Sequence, residues 1–108
     1  RGTLHCYAVH LQHQFAGGQQ RVAAVQGQID TARFKRYYPT LTLETYPSNM
    51  EAFDAVFFGR QDILLGDAHA MHFLNSERFD YLRQRGEAPP ELAPADFRFA
   101  MQAGEPVL

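Results

Sequence analysis

Between Arg21 and Gly86 the sequence repeats one phrase three times: a short apolar run, a turn of a few residues, then a segment with helical spacing. The apolar runs are RVAAV at 21–25, LTLETY at 41–46 and DILL at 62–65. The first is followed by a helix over Thr31 to Tyr38, with Asp30 placed to cap its start and Pro39 to forbid its continuation. After the second run, Ser48 stands three residues before Glu51 as a capping box. The helix it opens carries Met50, Phe53, Val56 and Phe57 on one face and stops at Gly59. After the third, Asp67 opens a long helix through Met71, Phe73, Leu74 and Leu82 toward Gly86. Leu4 to Leu11 reads as a further strand, closed by a turn at Ala16-Gly17-Gly18. Glu87 to Pro94 reads as a Pro-rich connection, and Phe97 to Met101 as a last strand. Short strands alternating with helices across short links force parallel pairing with right-handed crossovers. The predicted fold class is therefore α/β: a three-layer lobe whose mostly parallel central sheet, of about five strands, is flanked by helices. Residues 21–25, 41–46 and 62–65 are expected to be neighbouring parallel strands in it.

Sheets of this kind bind ligands at the carboxyl ends of their strands. Three loops occupy those ends: Gln26 to Ile29, Pro47 to Asn49 and Gly66 to Ala68. They are remote in sequence but brought to one edge by the topology, and each opens a helix whose first amides point into that edge. Gly27 allows backbone to approach a ligand closely, although glycine in a strand-to-helix turn is more often conformational punctuation. Gln28 can donate or accept toward a polar ligand, or be an ordinary solvated loop residue. Phe15, Phe34, Tyr46, Phe53, Phe57 and Phe58 are assigned to the core, with Tyr46, at the end of its strand, the one expected to reach the cleft.

Composition narrows the function classes. The 108 residues, 45% of them hydrophobic, suffice for one compact domain and not two. Ten basic residues against twelve acidic ones give a net charge of -2 with no basic stripe, which argues against nucleic acid as a partner. The single cysteine, Cys6, excludes an internal disulfide and any multi-cysteine metal site. No apolar stretch approaches the roughly 20 residues that span a bilayer. The chain begins at Arg1 without a Met and reads as an excised piece. There is no nucleophile elbow, no phosphate loop and no acid-base pair, so neither catalysis nor a cofactor is expected. His69 and His72, three apart, could share a metal with Asp67, but surface or capping roles outweigh that reading, and no metal site is expected. His10 and His13 repeat the spacing in a strand-turn context where it carries no weight.

In order, RVAAVQGQ, the helix ending in YYP, LTLETYPS, NMEAFDAVFFGRQDILLGD and FRFAMQAGEPVL resemble the second lobe of family 3 bacterial extracellular solute-binding proteins. The spacing from Gly59-Arg60-Gln61-Asp62 to Asp67 is the most specific part of the likeness. The resemblance implies a periplasmic binding protein-like lobe of type II, a Venus flytrap half, with residues 1–108 forming one lobe. Strands near 4–11 and 97–101 would then lie by the two crossings into a first lobe, and the two lobes would close over a small polar, amino-acid-like solute by hinge bending. It further implies a periplasmic location, and allows both the periplasmic part of an inner-membrane protein and a homodimer. Tyr37-Tyr38-Pro39 is closer to the sensor domains of hybrid histidine kinases than to transporter receptors. The alternatives are an ABC-transporter solute receptor, a periplasmic enzyme on the same fold, and the effector domain of a transcription regulator. Asp67 matches the family aspartate that receives a ligand ammonium, beside its simpler role as a helix cap. Gly27, Gln28, Ile29, Tyr46 and Ser48 complete the implied ligand-binding set. Where amino-acid receptors of the family carry roughly Ser-Gly-Thr-Thr, this chain has Gln26-Gly27-Gln28-Ile29 followed by Asp30, a departure from the pattern that holds an α-carboxylate.

Overall fold

The computed structural model describes residues 4–9, 20–88 and 90–93. Five strands form one sheet: β1 (Leu4–Ala8), β2 (Arg21–Val25), β3 (Thr42–Tyr46), β4 (Ile63–Asp67) and β5 (Arg83–Glu87), in the order β3-β2-β4-β1-β5. β2 pairs in parallel with β3 on one side and β4 on the other, as the three apolar runs predict. β1 runs antiparallel to both β4 and β5, so four strands point one way and β1 alone runs against them. A sheet sandwiched between two layers buries both faces of its central strands, which is why RVAAV and ILL read as continuous apolar runs and do not alternate. Val22, Ala24, Ile63 and Leu65 face a core shared with Phe34, Leu41 and Leu92. Ala23, Val25 and Leu64 face the opposite core, with Phe53, Val56, Met71, Leu74 and Leu82.

Helix α1 (Thr31–Tyr37) contributes only Phe34 to the first core. Helix α2 (Asn49–Phe57) begins at the capping box, where Ser48 Oγ accepts from the Glu51 amide at 3.1 Å. It ends at Gly59, whose φ of 84° lies in the left-handed region, with the Arg60 amide bonding back to Ala55 O at 2.8 Å. The buried stripe of α2 is Ala52, Phe53, Ala55 and Val56. Met50, expected on that face, is exposed, and Phe58, expected in the core, is 65% exposed. The small alanines let the helix lie close to the sheet, which rotates the contact stripe away from Met50.

The long helix expected from Asp67 toward Gly86 is shorter: α3 (Ala68–Ser76) stops ten residues before Gly86 (86 minus 76). Its end is set by Asn75, whose buried side chain accepts from the Leu82 amide at 3.0 Å and donates to the Leu82 carbonyl at 2.9 Å. Phe79 and Asp80 between them take positive φ, 60° and 53°, and reverse the chain. Arg83–Glu87 then joins the sheet beside β1 as an edge strand. Its sequence, RQRGE, has no apolar alternation to announce a strand, because edge positions favour charged side chains. Phe73, expected on the apolar face of this helix, is 59% exposed, while Met71 and Leu74 are buried. Leu11, Phe15, the Ala16-Gly18 turn, His10, His13 and the Phe97–Met101 strand lie outside the described residues.

Candidate ligand-binding edge

The parallel strands deliver three loops to one edge. After β2 the chain turns at Gly27, whose φ of 85° strains any other residue, and the Gln28 amide closes the turn on Val25 O at 3.0 Å. The Gln26 amide donates to Tyr46 O at 2.8 Å, extending the β2–β3 ladder one residue beyond the strands. Across the same gap Gln28 Nε2 donates to Asn49 Oδ1 at 3.2 Å, so the loops after β2 and β3 are joined by a side-chain bridge. Gln28 Oε1 is shielded from solvent and makes no hydrogen bond with any described residue. Ile29 turns its side chain into the first core and anchors the loop.

Each helix at this edge has its first turn capped by its own side chain. Asp30 Oδ1 accepts from the Arg33 amide at 3.1 Å, Ser48 Oγ from Glu51, and Asp67 Oδ2 from the Ala70 amide at 3.0 Å. Asp67 is thus both the last residue of β4 and the cap of α3, half-buried at the edge. The antiparallel register sets Leu4 opposite Asp67 and His5 opposite Gly66, so β1 enters and β5 leaves beside the loops. His5 Nε2 lies 3.9 Å from Glu87 Oε2. Burial, reinforced by the Asp67 carboxylate, pushes the Tyr7 phenol up to about 12.

Of the ligand-binding residues expected from the sequence, Gly27, Gln28 and Ser48 share the edge with Asp67. The Tyr46 backbone also reaches it, but its hydroxyl accepts from Gln61 Nε2 at 2.9 Å, at the start of β4. Asn49, which fixes Gln28, carries no sign of that role in the sequence. It follows a capping serine, where sequence marks the helix start and nothing marks a cross-loop partner. His69 and His72 are exposed, and no group of three metal-ligating side chains comes together among the described residues.

At the opposite edge, where β2 and β4 begin, a cavity of about 430 Å³ is lined by Val9, Phe57, Phe58, Gln61 and Tyr81 among others.

No protein-family model matches the chain. Over 84 residues, 78% of its length, it is 31% identical to the virulence sensor protein BvgS of Bordetella pertussis, and 29% identical to BvgS of Bordetella bronchiseptica. The chain spans about 7% of the length of these relatives. Among solved structures, the B. pertussis BvgS periplasmic domain superposes with a TM-score of 0.70 at 27% identity, covering 80% of this chain and 18% of that one. The fold is that of a Venus-flytrap lobe. The BvgS VFT2 domain matches the lobe with a TM-score of 0.67 at 18% identity, over 85% of this chain and 40% of that one. The cysteine-binding protein of Campylobacter jejuni does so with a TM-score of 0.59 at 17% identity, over 81% and 37%. The three parallel strands with their helices are therefore the architecture that the YYP, LTLETYPS and DILLGD segments suggest, and the antiparallel direction of β1 is added by the structure.

Proposed function

We propose that this lobe is one half of a periplasmic two-lobed binding unit, and that the whole protein uses the unit as the sensor domain of a membrane-bound two-component kinase. The observation that carries the reading is the likeness to the periplasmic domain of a virulence sensor over 80% of the chain. The ligand is a small polar solute, amino-acid-like in size, held between this lobe and a first lobe of the same protein. The edge bearing Gly27, Gln28, Ser48 and Asp67 faces the solute, and hinge closure transmits occupancy. The similar proteins are a virulence sensor and a cysteine-binding protein, which supports a binding module and not a catalyst. Structural likeness to the cysteine-binding protein supports a transport receptor as the second reading. A transmembrane segment followed by kinase motifs in the same gene supports the sensor, and a signal peptide with no such segment supports the receptor.

Asp67 is the residue on which the reading is tested. As a cap alone, its loss in Asp67→Ala costs about 1 kcal/mol of stability. As a charge-assisted ligand contact, its loss costs roughly 2 to 5 kcal/mol of binding. Calorimetric titration of the two-lobed protein with L-glutamine and L-arginine, beside thermal melts of parent and variant, separates the two. Unchanged affinity with a lowered melting temperature leaves Asp67 a cap only.

A further inference from the structure

The three helix starts at the edge are the places where a Venus-flytrap lobe would meet the charged end of a solute, and all three are occupied by the protein's own oxygens. The Arg33, Glu51 and Ala70 amides are taken by Asp30, Ser48 and Asp67, and two of these caps are carboxylates. An anion arriving here finds one amide of each helix start already engaged and meets the Asp30 and Asp67 carboxylates, which works against the usual preference of a helix start. In the loop after β2, the Gln28 side-chain amide has spent a donor hydrogen on Asn49. It keeps an acceptor, Oε1, that is shielded and unbonded among the described residues. An orphaned acceptor of this kind costs free energy until a donor reaches it.

Resting on the reading of this edge as half of a solute cleft, we propose that Gln28, held by Asn49, is a specificity-determining residue that makes the lobe take the N–H donor end of its solute. That end is an ammonium, a guanidinium or a primary amide, and a carboxylate is rejected. The donor satisfies Gln28 Oε1 while Nε2 stays on Asn49, and the carboxylates of Asp30 and Asp67 favour a positive charge beside it. Any carboxylate on the solute must then be held by the other lobe.

Calorimetry on the complete two-lobed protein tests this with two probes: L-argininamide, which carries N–H donors and no carboxylate, and succinate, which carries only carboxylates. The expected result is binding of L-argininamide and none of succinate. Gln28→Leu should weaken L-argininamide about tenfold to a hundredfold. Gln28→Glu, which keeps the acceptor and can be held again by the Asn49 amide turned to donate its Nδ2, should bind it at least as well as the parent, and a thermal melt of each variant separates loss of contact from loss of fold. Binding of succinate in preference to L-argininamide, or parent-like affinity in a folded Gln28→Leu variant, overturns the selectivity while leaving the cleft in place. Absence of heat with both probes overturns the cleft reading itself, and the selectivity with it.

Discussion

Asn75 shows how one side chain decides the path of a dozen residues. It is the single buried polar residue among the described ones, and it holds both backbone groups of Leu82 while Phe79 and Asp80 occupy a left-handed turn. Non-glycine residues in that region cost of order 1 kcal/mol or more each and persist where the surroundings over-determine them. Replacing Asn75 by Ala strands a buried N–H and a buried C=O. The expected loss is about 2 to 4 kcal/mol, read as a fall of roughly 10 °C or more in melting temperature for a domain of this size. Asn75→Asp keeps the acceptor for the Leu82 amide and should fall between. A melting temperature within a degree or two of the parent in Asn75→Ala would show that the turn is held by other contacts. Arg78, next to this turn, ties it to α2 by an ion pair with Asp54 at 3.0 Å and by lying over the Phe53 and Phe57 rings at 5.5 and 5.4 Å.

At the scale of elements, the seat of α3 on the sheet depends on a glycine. Gly66 lies on β4 one residue before the Asp67 cap, and a methyl group there would come within 2.8 Å of Met71 Cγ, closer than packed carbons tolerate. Met71 is fully buried, so it has little room to retreat. Gly66→Ala should therefore cost about 1 to 3 kcal/mol by overpacking, and Met71→Ala about 2 to 5 kcal/mol by leaving a cavity. The double variant should be more stable than the sum of the two losses by roughly 1 kcal/mol or more, because the added methyl partly fills the space vacated. Urea unfolding of the four proteins measures the coupling, and strict additivity would mean that the helix shifts bodily away from Gly66. Such a shift would move Asp67, which closes β4 and caps α3, so the glycine fixes where the helix starts.

For the whole molecule, the buried acids of β1 set an alkaline limit. Burial lifts the Cys6 thiol from 9.0 to about 11, against a smaller opposing pull from Arg85, and lifts the Tyr7 phenol from 10.0 to about 12 with help from Asp67. Both groups hold their protons more tightly folded than unfolded, so above their unfolded pKa values the unfolded chain carries fewer protons and stability falls as pH rises. The stability they contribute is fully present below pH 9. It should begin to decline near 9 as unfolded Cys6 ionises, steepen beyond 10 with Tyr7, and level off once the folded values of about 11 and 12 are passed. Denaturant melts between pH 8 and 11.5 should show this fall, and Cys6→Val should remove its first part. A flat profile from pH 8.5 to 10 in the parent would show that Cys6 is not buried in solution.

The order of elements was legible in the sequence because it is written in local chemistry. Apolar runs buried on both faces, the Asp30, Ser48 and Asp67 caps and the Gly59 stop each act over a few residues, and the parallel β3-β2-β4 core follows from them. The convergence of three loops on one edge was legible for the same reason, since topology alone brings it about. What needed the tertiary structure acts over longer spans. β5 is polar at every position but its glycine and becomes a strand only because β1 offers an edge and Asn75 ends the helix before it. The stripe of α2 rotates onto its alanines only where the sheet is there to meet them. Tyr46 points its hydroxyl to Gln61, and Gln28 meets Asn49, across 15 and 21 residues of sequence. Side-chain partners at that separation are chosen by packing geometry, which no periodicity along the chain encodes.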